Sequence, residues 1–156
     1  MLRYPLLLLT ISLALAGLGC GSERALEGSE CDLRSCDYNR IECDYYPQMG
    51  STPRAIVVHY LIVEDAGRQW TARLSMEFPG TDKIEGQVIV PPDLFDRVII
   101  AEGAGGWPTM VDGKCEIKEG GDEVAKPLKG KCGFKFDNGR FLTARFDCTL
   151  EDALPP

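Results

Sequence analysis

The sequence predicts an all-β domain, an antiparallel β-sandwich or small barrel of about seven short strands that disulfides stabilise. Strand-like segments between residues 55 and 150 are separated by Gly, Pro and Asp turns, with no convincing amphipathic helix among them. The length of 156 residues and the hydrophobic fraction of 44% fit one globular domain. Three of the seven cysteines fall within residues 31–43, which indicates a Cys-rich segment at the start of the domain.

The strand pattern is clearest at residues 69–78, where apolar side chains alternate with polar ones. Its neighbour at residues 55–64 is rich in β-branched residues. The Cys-rich segment, residues 31–54, contains one further short strand near residues 40–46 and is expected to pack on a β core of residues 55–156. The other segments that predict strands are 83–90, 97–102, 113–119, 129–136 and 140–150.

A two-residue loop at Ala66-Gly67 is expected to join the first two strands of the β core. The register that places Glu64 opposite Gln69 brings apolar residues together at every pair but one. The pairs are Val63 with Trp70, Leu61 with Ala72, His59 with Leu74, and Val57 with Met76. This register predicts a core containing Trp70, Leu74, Met76, Phe78, Val57 and Leu61, with His59 as a packed, hydrogen-bonded histidine that points inward with them.

The opposite face of the first strand is also apolar, through Ile56, Val58, Tyr60 and Ile62. Such a stripe is either covered by another part of the chain or forms a contact surface. The Cys-rich segment is the expected cover. Trp107, in the glycine-rich stretch 103–109, is predicted to lie on a surface loop and to belong to the same possible contact surface.

The last hairpin offers two registers around the sequence Asp137-Asn138-Gly139-Arg140. A two-residue turn would set apolar residues of one strand against lysines of the other. A three-residue loop with Gly139 left-handed puts both apolar faces on the same side, so we predict this loop, with Phe136 opposite Leu142 and Phe134 opposite Ala144.

The first residues have the organisation of an export signal. Arg3 precedes an apolar run of about a dozen residues, which is shorter than the roughly 20 residues that span a bilayer as a helix. Residues 1–19 are therefore predicted to be a signal peptide, and residues 20–30 a flexible tether. Export would place the cysteines in a compartment where disulfides persist.

The residues around Cys20 resemble the lipobox of bacterial lipoproteins. Gly19 occupies the small position before the cysteine, whereas Gly17 stands where that family usually has leucine. The resemblance covers only residues 1–20, and it implies that Cys20 becomes the N-terminus and is linked through a thioether to diacylglycerol. Ordinary signal-peptidase cleavage after Ala16 is the alternative.

The cysteine count agrees with a lipidated Cys20, because six cysteines then remain for three bridges. Cys115 shares a strand face with Ile117, and Cys132 shares one with Phe134. Both should face one core as antiparallel neighbours, whereas Cys148 lies diagonal to Cys132, at the limit of a bridge's reach. The predicted pairs are Cys115 with Cys132, and Cys148 with one of the three N-terminal cysteines, of which Cys43 is preferred. Cys31 would then pair with Cys36.

The net charge and the absence of known catalytic motifs exclude several classes of function, but they identify no ligand. The net charge is −7, and it becomes −8 when Arg3 is removed with the signal peptide, which argues against a nucleic-acid partner. No hydrolase elbow, phosphate-binding loop or zinc-binding helix motif occurs. The acidic stretch Glu119 to Glu123 is taken as a solvated loop. We predict no catalytic residue, no metal site and no cofactor.

The sequence thus predicts a lipid-anchored protein of the bacterial cell envelope with a non-catalytic binding or structural role. It would be attached to the outer rather than the inner membrane, face the periplasm or the surface, and bind an envelope or extracellular protein or a glycan. One alternative is a secreted or anchored hydrolase. Another is an inhibitor or toxin-like module that acts through its Cys-rich segment.

Overall fold

The structure, a computed structural model, describes residues 25–90, 94–95, 107–120 and 123–153. Nearly all regular structure in these ranges is β, with one short 3₁₀ helix, Ser29–Asp32, and no α-helix among the described residues. The strands are β1 (Ala25–Glu27), β2 (Arg40–Tyr46), β3 (Arg54–Glu64), β4 (Gly67–Phe78), β5 (Val88–Ile89), β6 (Leu94–Phe95), β7 (Met110–Gly120), β8 (Pro127–Phe136) and β9 (Phe141–Asp152).

The strands form a sandwich-like fold of two layers that share β9. Hydrogen bonding follows the order β5-β7-β8-β9-β2-β3-β4-β6, with β1 also paired to β9. We call β5, β7, β8, β1 and most of β9 the A layer, and β2, β3, β4 and β6 the B layer. The end of β9 crosses to the B layer, where it pairs with β2 in parallel, while every other pair is antiparallel. The predicted all-β class is confirmed.

Both layers contribute side chains to one core. Tyr60 of β3 is fully buried, and its hydroxyl donates a hydrogen bond of 2.8 Å to the Arg145 carbonyl of β9. The alternating burial of β8 and β9 shows that one face of each strand points into this core. The largest fully buried side chains are Tyr60, Phe78, Phe136, Phe146, Ile56, Leu61, Leu74, Met76, Ile84, Ile117, Leu128 and Leu142.

The register predicted between β3 and β4 is wrong. Glu64 pairs with Gly67, so the turn is Asp65-Ala66, and Leu61 pairs with Trp70. The next pair is Tyr60 with Ala72, which leaves Thr71 as an extra residue on β4, a β-bulge. Beyond the bulge, Ile56, Val58 and Tyr60 lie on the same face as Met76, Leu74 and Ala72, so the apolar side of each strand faces the core.

The bulge decides which side chains are inside. Leu74, Met76 and Phe78 are buried as predicted, but Trp70 is 46% exposed because the extra residue moves it to the outer face of the B layer. Thr71 is buried, and its hydroxyl donates to the Asp37 carbonyl. His59 is also on the outer face, opposite Arg73 and not Leu74, so the prediction that it points inward is wrong.

Val57 and Leu61 are buried, as predicted, although they share the outer face with His59. The prediction that the apolar stripe of β3 could form a contact surface is also wrong, because most of its residues face the core. Ile56, Val58 and Tyr60 are fully buried core residues, and Ile62 is half-buried. The A layer covers most of this stripe, so the prediction that the Cys-rich segment is its cover is largely wrong. The Cys-rich segment adds Tyr38, whose ring meets that of Tyr60 edge-on at 5.2 Å.

The β8–β9 hairpin has the predicted three-residue loop, with Gly139 in a left-handed conformation at φ 79°. Phe136 and Arg140 close the loop through a backbone hydrogen bond of 2.9 Å. The predicted partners are shifted by two residues, because Phe134 lies opposite Leu142 and Cys132 opposite Ala144. A shift of two keeps every side chain on its predicted face, so both apolar stripes point into the core.

The predicted tether is shorter than expected, because the domain already begins at Ala25. Leu26 is 8% exposed, and β1 pairs with β9. Glu30 is fully buried and accepts hydrogen bonds from Arg34 Nε at 2.5 Å and Asn138 Nδ2 at 2.9 Å. Burial raises the pKa of Glu30, but these two hydrogen bonds and the charges of Arg34 and Arg140 together outweigh that effect and lower the pKa below its ordinary value.

Two of the predicted strands differ from the structure or fall outside it. The segment 83–90 contributes only the two-residue strand β5, and Ile84 before it is buried. The segment 97–102 lies outside the described residues. The short strand near residues 40–46 is confirmed as β2, which pairs with both β3 and β9.

Candidate functional sites on the outer faces

The three disulfides join the cysteines in the predicted pairs. Cys115 and Cys132 are directly opposite each other on β7 and β8. The bridge between Cys43 and Cys148, with Cα atoms 6.2 Å apart, connects β2 to β9 where the two layers meet. Cys31 and Cys36 close a short loop, with Cα atoms 5.4 Å apart. Cys20, the predicted lipid-attachment residue, lies outside the described residues.

Trp107 is less exposed than its predicted place in a contact surface requires. The side chain is half-buried, and its ring lies 5.7 Å from that of Phe136 between centroids. The guanidinium carbon of Arg34 lies 5.8 Å from the centre of the Trp107 ring, which is cation–π geometry. Trp107 therefore closes one end of the core against the N-terminal segment, and the sites that could bind a partner lie on the outer faces of the layers.

The outer face of the B layer carries a row of charged residues around His59. His59 pairs with Glu42 on one side and with Arg73 on the other. Its Nε2 lies 3.0 Å from Asp44 Oδ2, and its Nδ1 is buried with no hydrogen-bond partner among the described residues. Burial lowers the pKa of His59 below its ordinary value, against the opposing effect of Asp44. The imidazole is therefore neutral near pH 7 and has no open nitrogen to offer a substrate.

A cavity of about 260 Å³ lies beside this row, under the loop that joins β2 to β3. Its floor is apolar, through Ala55 and Val57, while Arg73, Ser75 and Glu77 form one wall. Ser75 pairs with Val57, so it is diagonal to His59 and not opposite it. The cavity has room for a small group, but Ser75 has no imidazole beside it among the lining residues, so the hydroxyl–imidazole pair of serine-type nucleophilic catalysis is missing there.

The outer face of the A layer has a larger groove, which we call the Gly133 groove. Its volume is about 450 Å³, and its lining includes Val90, Asp112, Lys114, Gly133, Lys135, Phe141 and Thr143. Gly133 lies in the middle of a row, with Lys114 opposite it on β7 and Thr143 opposite it on β9. A Cβ atom built on Gly133 would meet nothing within 4 Å, so the missing side chain is what opens the floor.

Lysines follow the outer face of β8 on both sides of the groove. Along this strand Lys129, Lys131 and Lys135 point outward, and Gly133 takes the remaining place in the alternation. Lys129 is neutralised from both sides, since its Nζ lies 3.6 Å from Glu119 and 3.6 Å from Asp147.

Two other lysines on the outer face of β8 lack so close a carboxylate among the described residues. Lys131 and Lys135 are exposed, and neither has a carboxylate within 4 Å of its amino group among the described residues. Lys114 bonds Glu116 at 2.7 Å, which raises the pKa of Lys114. Asp112 accepts a hydrogen bond from the Gly113 amide at 2.8 Å, so part of its carboxylate is already engaged. In the strand register Lys131 faces Glu116 and Lys135 faces Asp112, so acidic side chains accompany the lysines along the groove.

The sequence contains a pattern of lysines and glycine that indicates this groove, but the predictions above do not include it. Six of the seven lysines lie within residues 114–135, and the segment Lys129-Gly130-Lys131-Cys132-Gly133-Phe134-Lys135 shows a glycine in register with the lysines. Which lysines are neutralised depends on the neighbouring strands, so the signal alone did not define a site.

Other features of the described chain do not add a site. No group of three or more His, Cys, Asp or Glu residues is placed to hold a metal ion in the ranges that the structure describes. Within the same ranges, no helix has the length and apolar character needed to cross a bilayer. No protein-family model, curated protein or solved structure matches this chain. Function must therefore be argued from the sites themselves.

Proposed function

We propose that this protein is a lipid-anchored component of the bacterial cell envelope that acts by binding, without catalysis. The pairing of the cysteines is the observation that supports a lipid anchor. All six cysteines of the described domain are joined in three bridges, which leaves Cys20 as the one remaining thiol of the seven in the chain. Three bridges also fit a protein that works in an oxidising compartment.

The distance along the chain from Cys20 to the domain supports the same proposal. Only Gly21 to Arg24 lie between Cys20 and the start of β1 at Ala25. A fully extended segment of this length spans about 17 Å. A lipid on Cys20 would hold the domain next to the bilayer surface, and the partner would be met there, on the outer membrane with the domain in the periplasm or outside the cell.

The Gly133 groove supports a binding role. It is open to solvent, and its volume falls in the range of about 300–1,000 Å³ that small-molecule sites occupy. Its charged side chains and the exposed Phe141 ring can contact a ligand. Its lining contains no histidine, cysteine or serine.

The structure weighs against the two alternatives. A hydrolase that uses histidine as its base would need an accessible imidazole, and both nitrogens of His59 are buried or engaged by Asp44. An inhibitor module would need a protruding stapled loop, whereas Cys31 and Cys36 pack against the core.

The test is the intact mass of the protein purified from its native membrane fraction. The expected mature chain begins at Cys20 and carries the added mass of acyl chains, because a stable anchor needs more than one. A Cys20→Ser variant should leave the membrane fraction while keeping the same unfolding midpoint, since no bridge uses Cys20. A mature chain that begins at Gly17 without acyl mass would refute the anchor.

A further inference from the structure

We infer that Asn138 in the β8–β9 loop is a site of deamidation, and that Glu30 blocks the reaction while the 3₁₀ helix Ser29–Asp32 is docked on that loop. This covalent modification of the chain goes beyond the proposed function and does not rest on it. The chain contains two asparagines, Asn39 and Asn138, and only Asn138 is followed by glycine. Glycine has no side chain to obstruct a reaction at its backbone nitrogen.

Deamidation of Asn138 needs only the chain itself and water. The backbone nitrogen of Gly139 attacks Cγ of Asn138 and loses its proton, so that an N–Cγ bond forms, the Cγ–Nδ2 bond breaks and ammonia leaves. The product is a five-membered succinimide ring. Water then opens the ring at one of its two carbonyl carbons, which yields aspartate or isoaspartate. Nothing is oxidised or reduced.

In the fold, the groups that take part in the first step are already hydrogen-bonded. The Asn138 carboxamide donates from Nδ2 to Glu30 Oε2 at 2.9 Å and accepts from the Arg140 amide at 3.0 Å. The attacking nitrogen, that of Gly139, donates to the Phe136 carbonyl at 3.0 Å. Cγ of Asn138 can approach this nitrogen only after the side chain turns, and turning it breaks the bonds to Glu30 and Arg140.

Glu30 is the strongest of these restraints because it is a charged acceptor inside the protein. Its carboxylate is fully buried and also accepts from Arg34 Nε at 2.5 Å. The pKa of Glu30 lies below its ordinary value, so the group is ionised at neutral pH. Hydrogen bonds to an ionised group are roughly twice as strong as neutral ones. The buried carboxylate therefore holds an asparagine that lies on an exposed loop.

The Glu30–Asn138 bond can open without unfolding of the whole domain. The docked helix is four residues long. Besides Glu30 it is held on the loop by Ser29, whose carbonyl accepts from the Arg140 side chain and whose hydroxyl accepts from the Phe141 amide at 3.1 Å. Short elements held by few contacts open at a lower free energy than global unfolding requires. Deamidation is therefore expected to proceed through local opening of this helix.

The product cannot restore the bond to Glu30. Aspartate or isoaspartate at position 138 has no side-chain N–H to donate, and it places a second carboxylate against Glu30. The two like charges oppose each other, and a buried carboxylate that has lost a donor costs free energy. Deamidation should therefore weaken the docking of Ser29–Asp32 permanently.

The experiment incubates the purified full chain near neutral pH and follows Asn138 by peptide mapping, which detects the gain in mass when the amide becomes a carboxyl group. Isomerisation of Asp112, which also precedes a glycine, leaves the mass unchanged and is thereby distinguished. The folded protein should react roughly tenfold or more slowly than the chain unfolded in urea, because opening must come first. Glu30→Ala should react roughly tenfold or more faster than the unchanged folded protein, because a hydrogen bond to a charged group is lost.

Two controls separate local opening from general instability. Leu74→Ala removes a buried side chain of the B layer and leaves the Glu30–Asn138 bond intact. Its rate at Asn138 should stay within about twofold of the unchanged protein, since nearly all molecules remain folded. Asn39 is an internal control that should stay unmodified, because Arg40 follows it and its Nδ2 donates to the Val63 carbonyl at 3.0 Å.

Two further variants decide the question if Glu30→Ala does not fold. Arg140→Gln removes the contacts of a half-buried side chain with Ser29 and Asp32, and it should also speed deamidation. Asn138→Asp replaces the reactive amide by the carboxylate of one product. It should speed hydrogen exchange at the Leu33 amide, which donates to the Glu30 carbonyl at 3.1 Å.

Several results would overturn the inference. They are no gain in mass at Asn138 in the unfolded chain, equal rates in the folded and unfolded chains, or no acceleration in Glu30→Ala and Arg140→Gln. Equal acceleration in Leu74→Ala and Glu30→Ala would show that global unfolding, and not the docked helix, controls the reaction. Unchanged exchange in Asn138→Asp would show that the helix does not depend on the amide. None of these results bears on the lipid anchor, because the mass of the native protein tests that separately.

Discussion

Gly130 of β8 is the position where one methyl group should destabilise the fold most clearly. A Cβ atom there would lie 2.5 Å from Cζ and 2.7 Å from Cε2 of Phe146, and 2.8 Å from the Glu116 carbonyl oxygen. Phe146 is directly opposite Gly130 on β9 and is 1% exposed, so its ring covers the glycine within the core. The Glu116 carbonyl group belongs to β7, which pairs with β8 on the side away from β9.

Relief of this clash requires movement on both sides of β8. Ordinary contacts of a Cβ atom begin near 3.4 Å, so the ring must move by about 0.9 Å and the β7 backbone by about 0.6 Å. Overpacking of this kind costs about 1–3 kcal/mol, and we expect Gly130→Ala near the upper end because one obstacle is backbone in a paired strand.

The assay is urea unfolding under non-reducing conditions, followed by fluorescence. Gly133→Ala is the matched control on the same strand, and its effect should lie between about zero and 1 kcal/mol of stabilisation. The slope of the unfolding free energy with urea should be unchanged in both variants. Equal stabilities of Gly130→Ala and Gly133→Ala, within about 0.5 kcal/mol, would show that Phe146 does not cover Gly130 as described.

Three further predictions follow from the packing, the bridges and the charges. Leu74→Ala should cost about 2–5 kcal/mol by leaving a cavity, and Trp70→Ala about 1 kcal/mol, as urea unfolding of both will show; equal losses would place Trp70 in the core after all. Replacing Cys43 and Cys148 together should lower stability by about 4–5 kcal/mol in the chain-entropy account, because the bridge spans 105 residues; a loss under about 1 kcal/mol would contradict that account. Because the fold lowers the pKa of Glu30, its contribution is present above the ordinary value of 4.5 and is lost as pH falls below it. Glu30→Gln should therefore flatten the pH dependence of stability in that window, and an unchanged profile would show that the carboxylate is not stabilised.

The disulfide pairs could be predicted because they depend on which strand face a cysteine occupies. The predicted faces are correct although the predicted register of the β8–β9 hairpin is wrong. The partners in the β8–β9 hairpin are two residues from those expected, yet Cys132 and Cys148 remain on the core side. The shift places Cys148 opposite Leu128, farther from Cys132 than predicted, which strengthens the reason for pairing it with Cys43.

The β3–β4 register could not be predicted in the same way, because one extra residue reverses the faces. β3 is apolar on both sides, so the sequence permits two arrangements. The bulge at Thr71 lets Ile56, Val58 and Tyr60 face the core while the turn keeps its two-residue loop. The regular alternation of residues 69–78 conceals this, since Thr71 is polar and fits either pattern.

The two glycines of β8 show why the site lay beyond sequence reasoning while the fold did not. Gly130 and Gly133 stand three residues apart in a strand, so they face opposite sides. One lies beneath a phenylalanine ring and the other opens a groove, although each follows a lysine or a cysteine in similar sequence. Strand type follows from alternation along one segment. Residues of β7 and β9 decide whether the space beside a glycine is occupied. They also decide whether Lys129 or Lys131 has a carboxylate within 4 Å of its amino group. A binding surface on a sheet is a property of rows across strands, and the rows exist only once the register is known.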